Sequence, residues 1–168
     1  IYVSYVAADT EFYTIQGGHG GFVSMNSDYT DGGNLLLTNS AKPRDNKGIW
    51  AFVSQSTGKY KVYNYSTGLS KVLGITGTED NARATMVKDG TEGYSTLFSG
   101  DLKFNGAASY VKIDGGNHWW NKRGNFLALW NHGSVTGDTG SKFFFTEVDP
   151  ADYPDTYYYE VQNITGVS

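Results

Sequence analysis

The chain has 168 residues, enough for one domain whose core needs no covalent staples. It has no cysteine, which excludes disulfide frameworks, zinc–cysteine sites and thiol nucleophiles and leaves the cellular compartment open. Its 13 Lys and Arg against 17 Asp and Glu give a formal charge of −4. This argues against a nucleic-acid partner, whose phosphates call for a basic face. No apolar run reaches the roughly 18 residues of a membrane helix, so membrane insertion is not expected.

Gly 22, Tyr 13 and 15% aromatic residues, with only 18% charged, describe short strands joined by tight turns rather than disorder. Ile1–Ala8 has neither a basic n-region nor an apolar h-region, so no signal peptide is read there. Phe12-Tyr13-Thr14-Ile15-Gln16, a glycine-rich turn at Gly17–Gly21 and Phe22-Val23-Ser24-Met25 predict a hairpin. Strand signals follow at Leu35–Thr38, Ile49–Val53, Tyr60–Tyr63, Lys71–Ile75, Ala84–Val87, Ser95–Phe98, Tyr110–Ile113, His118–Trp120, Phe126–Trp130 and Lys142–Thr146. Glu79–Met86 is the most helix-like stretch, but it lies where a strand and its loop belong.

About a dozen strands in one chain invite a repeat search. Trp50, Leu97 and Phe144 recur at 47-residue intervals (97 − 50 and 144 − 97), each closing a set of four strands. The sets open at Tyr13, Tyr60 and Tyr110, at intervals of 47 and 50 (60 − 13 and 110 − 60). Third-strand anchors at Leu36, Met86 and Leu127 fit more loosely. One four-strand unit cannot bury its apolar face alone, whereas three can close a barrel and cap one end, which also removes sheet edges. The expected fold is all-β: a β-trefoil of three pseudo-repeats over residues 11–149. Residues 1–10 form a leading extension. Residues 150–168 form a proline-marked linker followed by Tyr157–Ile164, a further strand that either pairs with Tyr2–Val6 or opens another domain. Both ends look abrupt, which suggests a piece of a larger protein.

The segments Ile49-Trp50-Ala51-Phe52, Gly58-Lys59-Tyr60-Lys61-Val62-Tyr63-Asn64 and Thr67-Gly68, echoed by Ser109-Tyr110-Val111-Lys112-Ile113-Asp114, resemble the ricin-type β-trefoil lectins. The family's Gln-x-Trp signature is absent. The resemblance covers about residues 11–148. It implies a divergent, non-catalytic carbohydrate-binding module of an exported multidomain protein, secreted or on a cell surface, with a glycan or polysaccharide and neighbouring domains as partners. In that family a unit's carboxylate follows its first strand, an aromatic follows some fifteen residues later, and an Asn comes next. Asp114, Trp130 and Asn131 stand in that order.

The residues themselves single out the third unit. Asp114, Asn117, His118, Trp119, Trp120, Asn121, Lys122, Arg123, Trp130, Asn131 and His132 hold three of the four tryptophans. A pyranose needs a flat aromatic face for its C–H patch and carboxylates or amides for its hydroxyls. Trp119 and Trp120 are adjacent, so on a strand one enters the core and the other is exposed. The candidate ligand-binding residues are Asp114, Asn117, His118, Trp119, Trp130 and Asn131. The competing reading makes Trp120 and Trp130 core anchors and Asp114 a turn residue, and the chain an architectural or protein-interaction trefoil. Gln16, His19 and Tyr29 in the first unit, and Asn64, Tyr65, Lys88 and Asp89 in the second, are poorer candidates.

No catalytic residue, cofactor or metal is expected. Gly17–Gly21 lacks the spacing of a dinucleotide loop. His19, His118 and His132 have no metal-ligand spacing. Asp28–Gly33 and Asp45–Gly48 miss the EF-hand pattern. No Gly-x-Ser-x-Gly elbow exists, and no Glu lies in the aromatic cluster to complete a glycosidase pair. Asn64-Tyr65-Ser66 and Asn163-Ile164-Thr165 are glycosylation sequons.

Overall fold

The structure, a computed structural model, describes residues 10–25, 35–38, 43, 45–131 and 133–153. Tyr2–Val6, Asp28–Gly33 with Tyr29, His132, and Tyr157–Ile164 with Asn163 lie outside the described residues.

Thirteen strands are described: β1 (Phe12–Gly17), β2 (Phe22–Ser24), β3 (Leu36–Thr38), β4 (Trp50–Ser56), β5 (Lys59–Asn64), β6 (Val72–Thr76), β7 (Ala84–Val87), β8 (Tyr94–Ser95), β9 (Phe98–Asp101), β10 (Tyr110–Ile113), β11 (Trp119–Arg123), β12 (Phe126–Trp130) and β13 (Phe143–Val148). Single 3₁₀ turns, such as Asn46–Gly48, are the helical pieces among the described residues. The helix-like stretch from Glu79 is a turn through Asn81, then a bridge at Arg83, then β7.

Six strands close a barrel. β1 pairs with β13 from Phe12 opposite Val148 to Gly17 opposite Phe143, and with β4 through Tyr13 and Trp50. β4 runs back as β5, and β5 meets β9 where Tyr60 faces Phe98. β9 pairs with β10, and the Ser109–Phe143 bridge returns the ring to β13. The remaining hairpins, β2–β3, β6–β7 and β11–β12, cap one end. They interlock where Leu36 faces Phe126, Arg83 faces Ala128, and the Leu35 N–H donates to Ala84 O at 2.9 Å. Three units of barrel strand, hairpin and barrel strand are the β-trefoil.

The core follows from alternation along the closing strands. Trp50, Phe98, Phe143 and Phe145 point inward and are fully buried. Leu97 and Phe144, read from the sequence as unit anchors, are only partly buried neighbours of these residues. Trp50 is the anchor the spacing predicts, and the other two are one residue off, because Leu97-Phe98 and Phe143-Phe144-Phe145 are unbroken apolar runs that conceal which residue faces in. Trp120 descends from the cap into the barrel, with its ring centroid 5.4 Å from Phe98 and 5.9 Å from Phe143, both edge-on. Burying a ring of this size stabilises by roughly 4–6 kcal/mol before entropy is counted. Trp50 Nε1 donates to Val23 O at 2.9 Å, while Trp120 Nε1 has no acceptor among the described residues.

Candidate functional site

The candidate site is built on the β11–β12 hairpin. Its two-residue turn places Gly124 at φ +60°, a conformation that suits glycine and fixes the register of the two strands. Trp120 enters the core, so Trp119 takes the opposite face and is half-buried. Pairing then sets a row across four strands: Ser99 on β9, Lys112 on β10, Trp119 on β11 and Trp130 on β12, each opposite the next. Trp130 is also half-buried, so it is not a core anchor. Lys112 Nζ lies 5.6 Å from the Trp119 ring centroid, and the ring rests against Gly100, where a Cβ would stand 3.2 Å from Trp119 Cζ3.

A polar cluster flanks the two rings, and its centre comes from the second unit. Asp80 Oδ1 accepts the Asn131 backbone N–H at 2.9 Å and lies 3.2 Å from His118 Nε2. His118 Nδ1 is 2.9 Å from Asn117 Oδ1. His118 and the Asn131 backbone therefore meet at one carboxylate, and Asn117 joins them through the other side of the imidazole. Asp114 is engaged elsewhere: its Oδ2 is 3.2 Å from Lys59 Nζ, and its backbone N–H donates to Leu97 O at 2.9 Å. The Lys59 ammonium, aided by Ser99 and by the charge of Lys112, holds the Asp114 carboxyl below the usual carboxylate range. Asp114 and Trp119 thus share Lys112 as a neighbour, but Asp114 does not join the Asp80 cluster.

Arg123 completes the hairpin's outer face. Its guanidinium carbon sits 3.9 Å from the Trp130 ring centroid, and its Nε donates to Asn81 Oδ1 at 2.7 Å. Arg83 lies 3.7 Å over Phe126. A cavity of about 340 Å³ is lined by Asn81, Arg83, Arg123, Gly124 and Phe126. A second, of about 370 Å³, involves Glu11, Tyr13, Phe52, Tyr60 and Phe104. There the Tyr13 hydroxyl donates to Glu11 Oε2 at 2.6 Å, and burial, reinforced by Glu11, raises the Tyr13 hydroxyl well above the usual tyrosine range.

Asp80, Asn81 and Arg83 were missed from the sequence. Asp80 is 51 residues from Asn131, and only the packing of the three hairpins brings the β6–β7 turn to β12. The poorer candidates serve the scaffold. Asn64 is buried, donates to Lys47 O at 2.8 Å and accepts from the Ser66 N–H at 2.9 Å. Gln16 Nε2 donates to Gly20 O, and Asp89 pairs with Lys61 at 2.9 Å. Asp45, in the loop with a loose calcium pattern, caps a 3₁₀ turn by accepting the Lys47 N–H.

No family model and no curated protein matches the chain. Solved structures do, at low identity. The designed threefold-symmetric protein ThreeFoil is 15% identical with a TM-score of 0.62, over 82% of this chain and 98% of its own. The BEL β-trefoil is 13% identical with a TM-score of 0.59, over 88% of this chain and 100% of its own. The Polyporus squamosus lectin bound to Neu5Acα2-6Galβ1-4GlcNAc is 12% identical with a TM-score of 0.60, over 81% of this chain, which spans 48% of that lectin. At these identities the likeness concerns the fold, a β-trefoil of the kind lectins use.

Proposed function

We propose that the chain is a non-catalytic carbohydrate-binding module of the ricin-type kind, part of an exported, multidomain protein, secreted or at a cell surface. Its glycan docks on the outer face of the β11–β12 hairpin. The observation that carries this reading is the pairing of two half-buried tryptophans, Trp119 opposite Trp130, beside a cluster of Asp80, Asn117, His118 and Asn131. The rings supply apolar faces for a pyranose, and the side-chain amides of Asn117 and Asn131 with the Asp80 carboxylate supply partners for its hydroxyls, while His118, engaged at both ring nitrogens, orients Asp80 and Asn117. Asp114 contributes from the margin, through Lys112.

Asp80 is engaged by His118 and Asn131, and Asp114 by Lys59, so neither is presented as the free acid or base that glycoside cleavage requires. Lectin-like trefoils among the structural neighbours support a glycan partner. One such site binds weakly: a millimolar dissociation constant corresponds to about −4 kcal/mol, and a polymeric ligand or neighbouring module would raise the effective affinity. A broad glycan array read at millimolar protein tests the reading. Binding to at least one glycan that is lost on Trp130→Ala, with the fold intact by circular dichroism, supports it. An array with no binder overturns it.

A further inference from the structure

We infer that the cavity between the second and third units is a carboxylate subsite, so that the glycan taken by the hairpin carries an acidic sugar; this rests on the carbohydrate-binding reading above. Two arginines from different units, Arg83 and Arg123, line the same cavity of about 340 Å³. Each guanidinium is laid over an aromatic ring, Phe126 at 3.7 Å and Trp130 at 3.9 Å. Such contacts hold the planar fork in place and leave its edge free to donate. Arg123 is oriented further by the bond from its Nε to Asn81 Oδ1, which leaves its two terminal NH₂ groups uncommitted among the described residues. Neither arginine has a carboxylate partner within 4 Å among the described residues, whereas Lys59, Lys61 and Lys103 each do. Asp80, next to Asn81 in sequence, is turned to His118 and Asn131 instead.

Asn81 itself has φ 71°, the one non-glycine residue with positive φ among those described, and its N–H donates to Leu129 O at 2.8 Å. Asn tolerates this left-handed conformation in a turn, and here it holds the turn against β12 with Oδ1 turned to Arg123. The chain as a whole carries −4 and repels anions at long range, so two arginines with no carboxylate partner among the described residues, beside the proposed sugar platform, are a local exception. The planar, two-pronged geometry of guanidinium suits a carboxylate, which accepts two parallel hydrogen bonds. Arg123 belongs to both sites.

The test is an array of matched pairs, each carboxylated glycan printed beside its carboxyl-reduced counterpart, together with sulfated glycans, probed with the full chain. The acidic member should bind about tenfold more tightly than the reduced one. Arg83→Gln should remove most of that preference while leaving binding to the reduced member unchanged, and Arg123→Gln, which also alters the cover of the Trp130 ring, should remove the preference and change binding to both members. Equal binding within pairs overturns the carboxylate subsite and leaves the carbohydrate reading standing. Equal or stronger binding of sulfated glycans overturns the commitment to a carboxylate. Loss of binding to every glycan in the wild-type chain overturns both. Should Arg123→Gln fail to fold, Arg83→Gln, on an exposed side chain, decides alone.

Discussion

Trp119 and Trp130 stand directly opposite one another on adjacent antiparallel strands, and both are half-buried on the outer face of the cap. Trp120, one residue along, lies wholly inside the barrel. Strand alternation alone separates these neighbours into a structural ring and a surface ring, and the functional account grows from that division.

The two buried tryptophans should respond differently to truncation. Trp50 Nε1 donates to Val23 O, whereas Trp120 Nε1 has no acceptor among the described residues. Trp50→Phe leaves the Val23 carbonyl without its partner, so it should destabilise by about 1–2 kcal/mol more than Trp120→Phe. Chemical denaturation of the two variants measures the difference, and equal losses would show that the Trp50 bond contributes nothing net.

Gly100 joins fold to site. Its φ is +126°, and a Cβ there would collide with the Tyr110 carbonyl oxygen and press on Trp119. Gly100→Ala should cost about 2 kcal/mol or more, since the backbone must shift at a strained position. It should also displace the Trp119 ring and redden its emission. Thermal melts and fluorescence of the variant check both effects together.

Asp114 gives an acid-side prediction. Its folded-state ionisation lies below the ordinary carboxylate value, chiefly through Lys59, so the stability it contributes is present at neutral pH. That contribution is lost as pH falls below about 4 and through the folded value. Asp114→Asn should therefore lower the melting temperature at pH 7, with the gap from wild type closing as pH is lowered to about 2. A gap that does not change with pH would contradict the ion pair's role.

Tyr13 gives the alkaline counterpart. Burial and the Glu11 carboxylate hold its hydroxyl protonated beyond the usual range. Its contribution is intact below about pH 10 and is lost as pH rises from there toward the folded value, because the unfolded chain ionises first. Wild type should lose stability above pH 10 more steeply than Tyr13→Phe. Parallel slopes in denaturation at pH 9 to 11 would argue against it.

The fold was legible because strand, turn and period are local signals. Tyr13 and Tyr60 mark two opening strands, and glycine-rich turns separate the rest. The phase of the closing strands was not legible, since Phe143-Phe144-Phe145 offers no polar residue to show which side faces water. At the site, the split of Trp119 from Trp120 could be read from alternation. Asp80, Asn81 and Arg83 could not: nothing in Glu79–Met86 announces that the turn from Thr76 to Ala84 abuts β12. That juxtaposition is a consequence of three hairpins meeting about one axis.

The proposed binding face can be tested on four signals, because the chain has four tryptophans and each indole N–H gives one resonance. Titrating ¹⁵N-labelled chain with soluble oligosaccharides, carboxylated and neutral, should shift the indole signals of Trp119 and Trp130 and leave those of Trp50 and Trp120 in place. If the Trp119 and Trp130 signals stay fixed at millimolar saccharide across the panel, the hairpin is not a glycan platform.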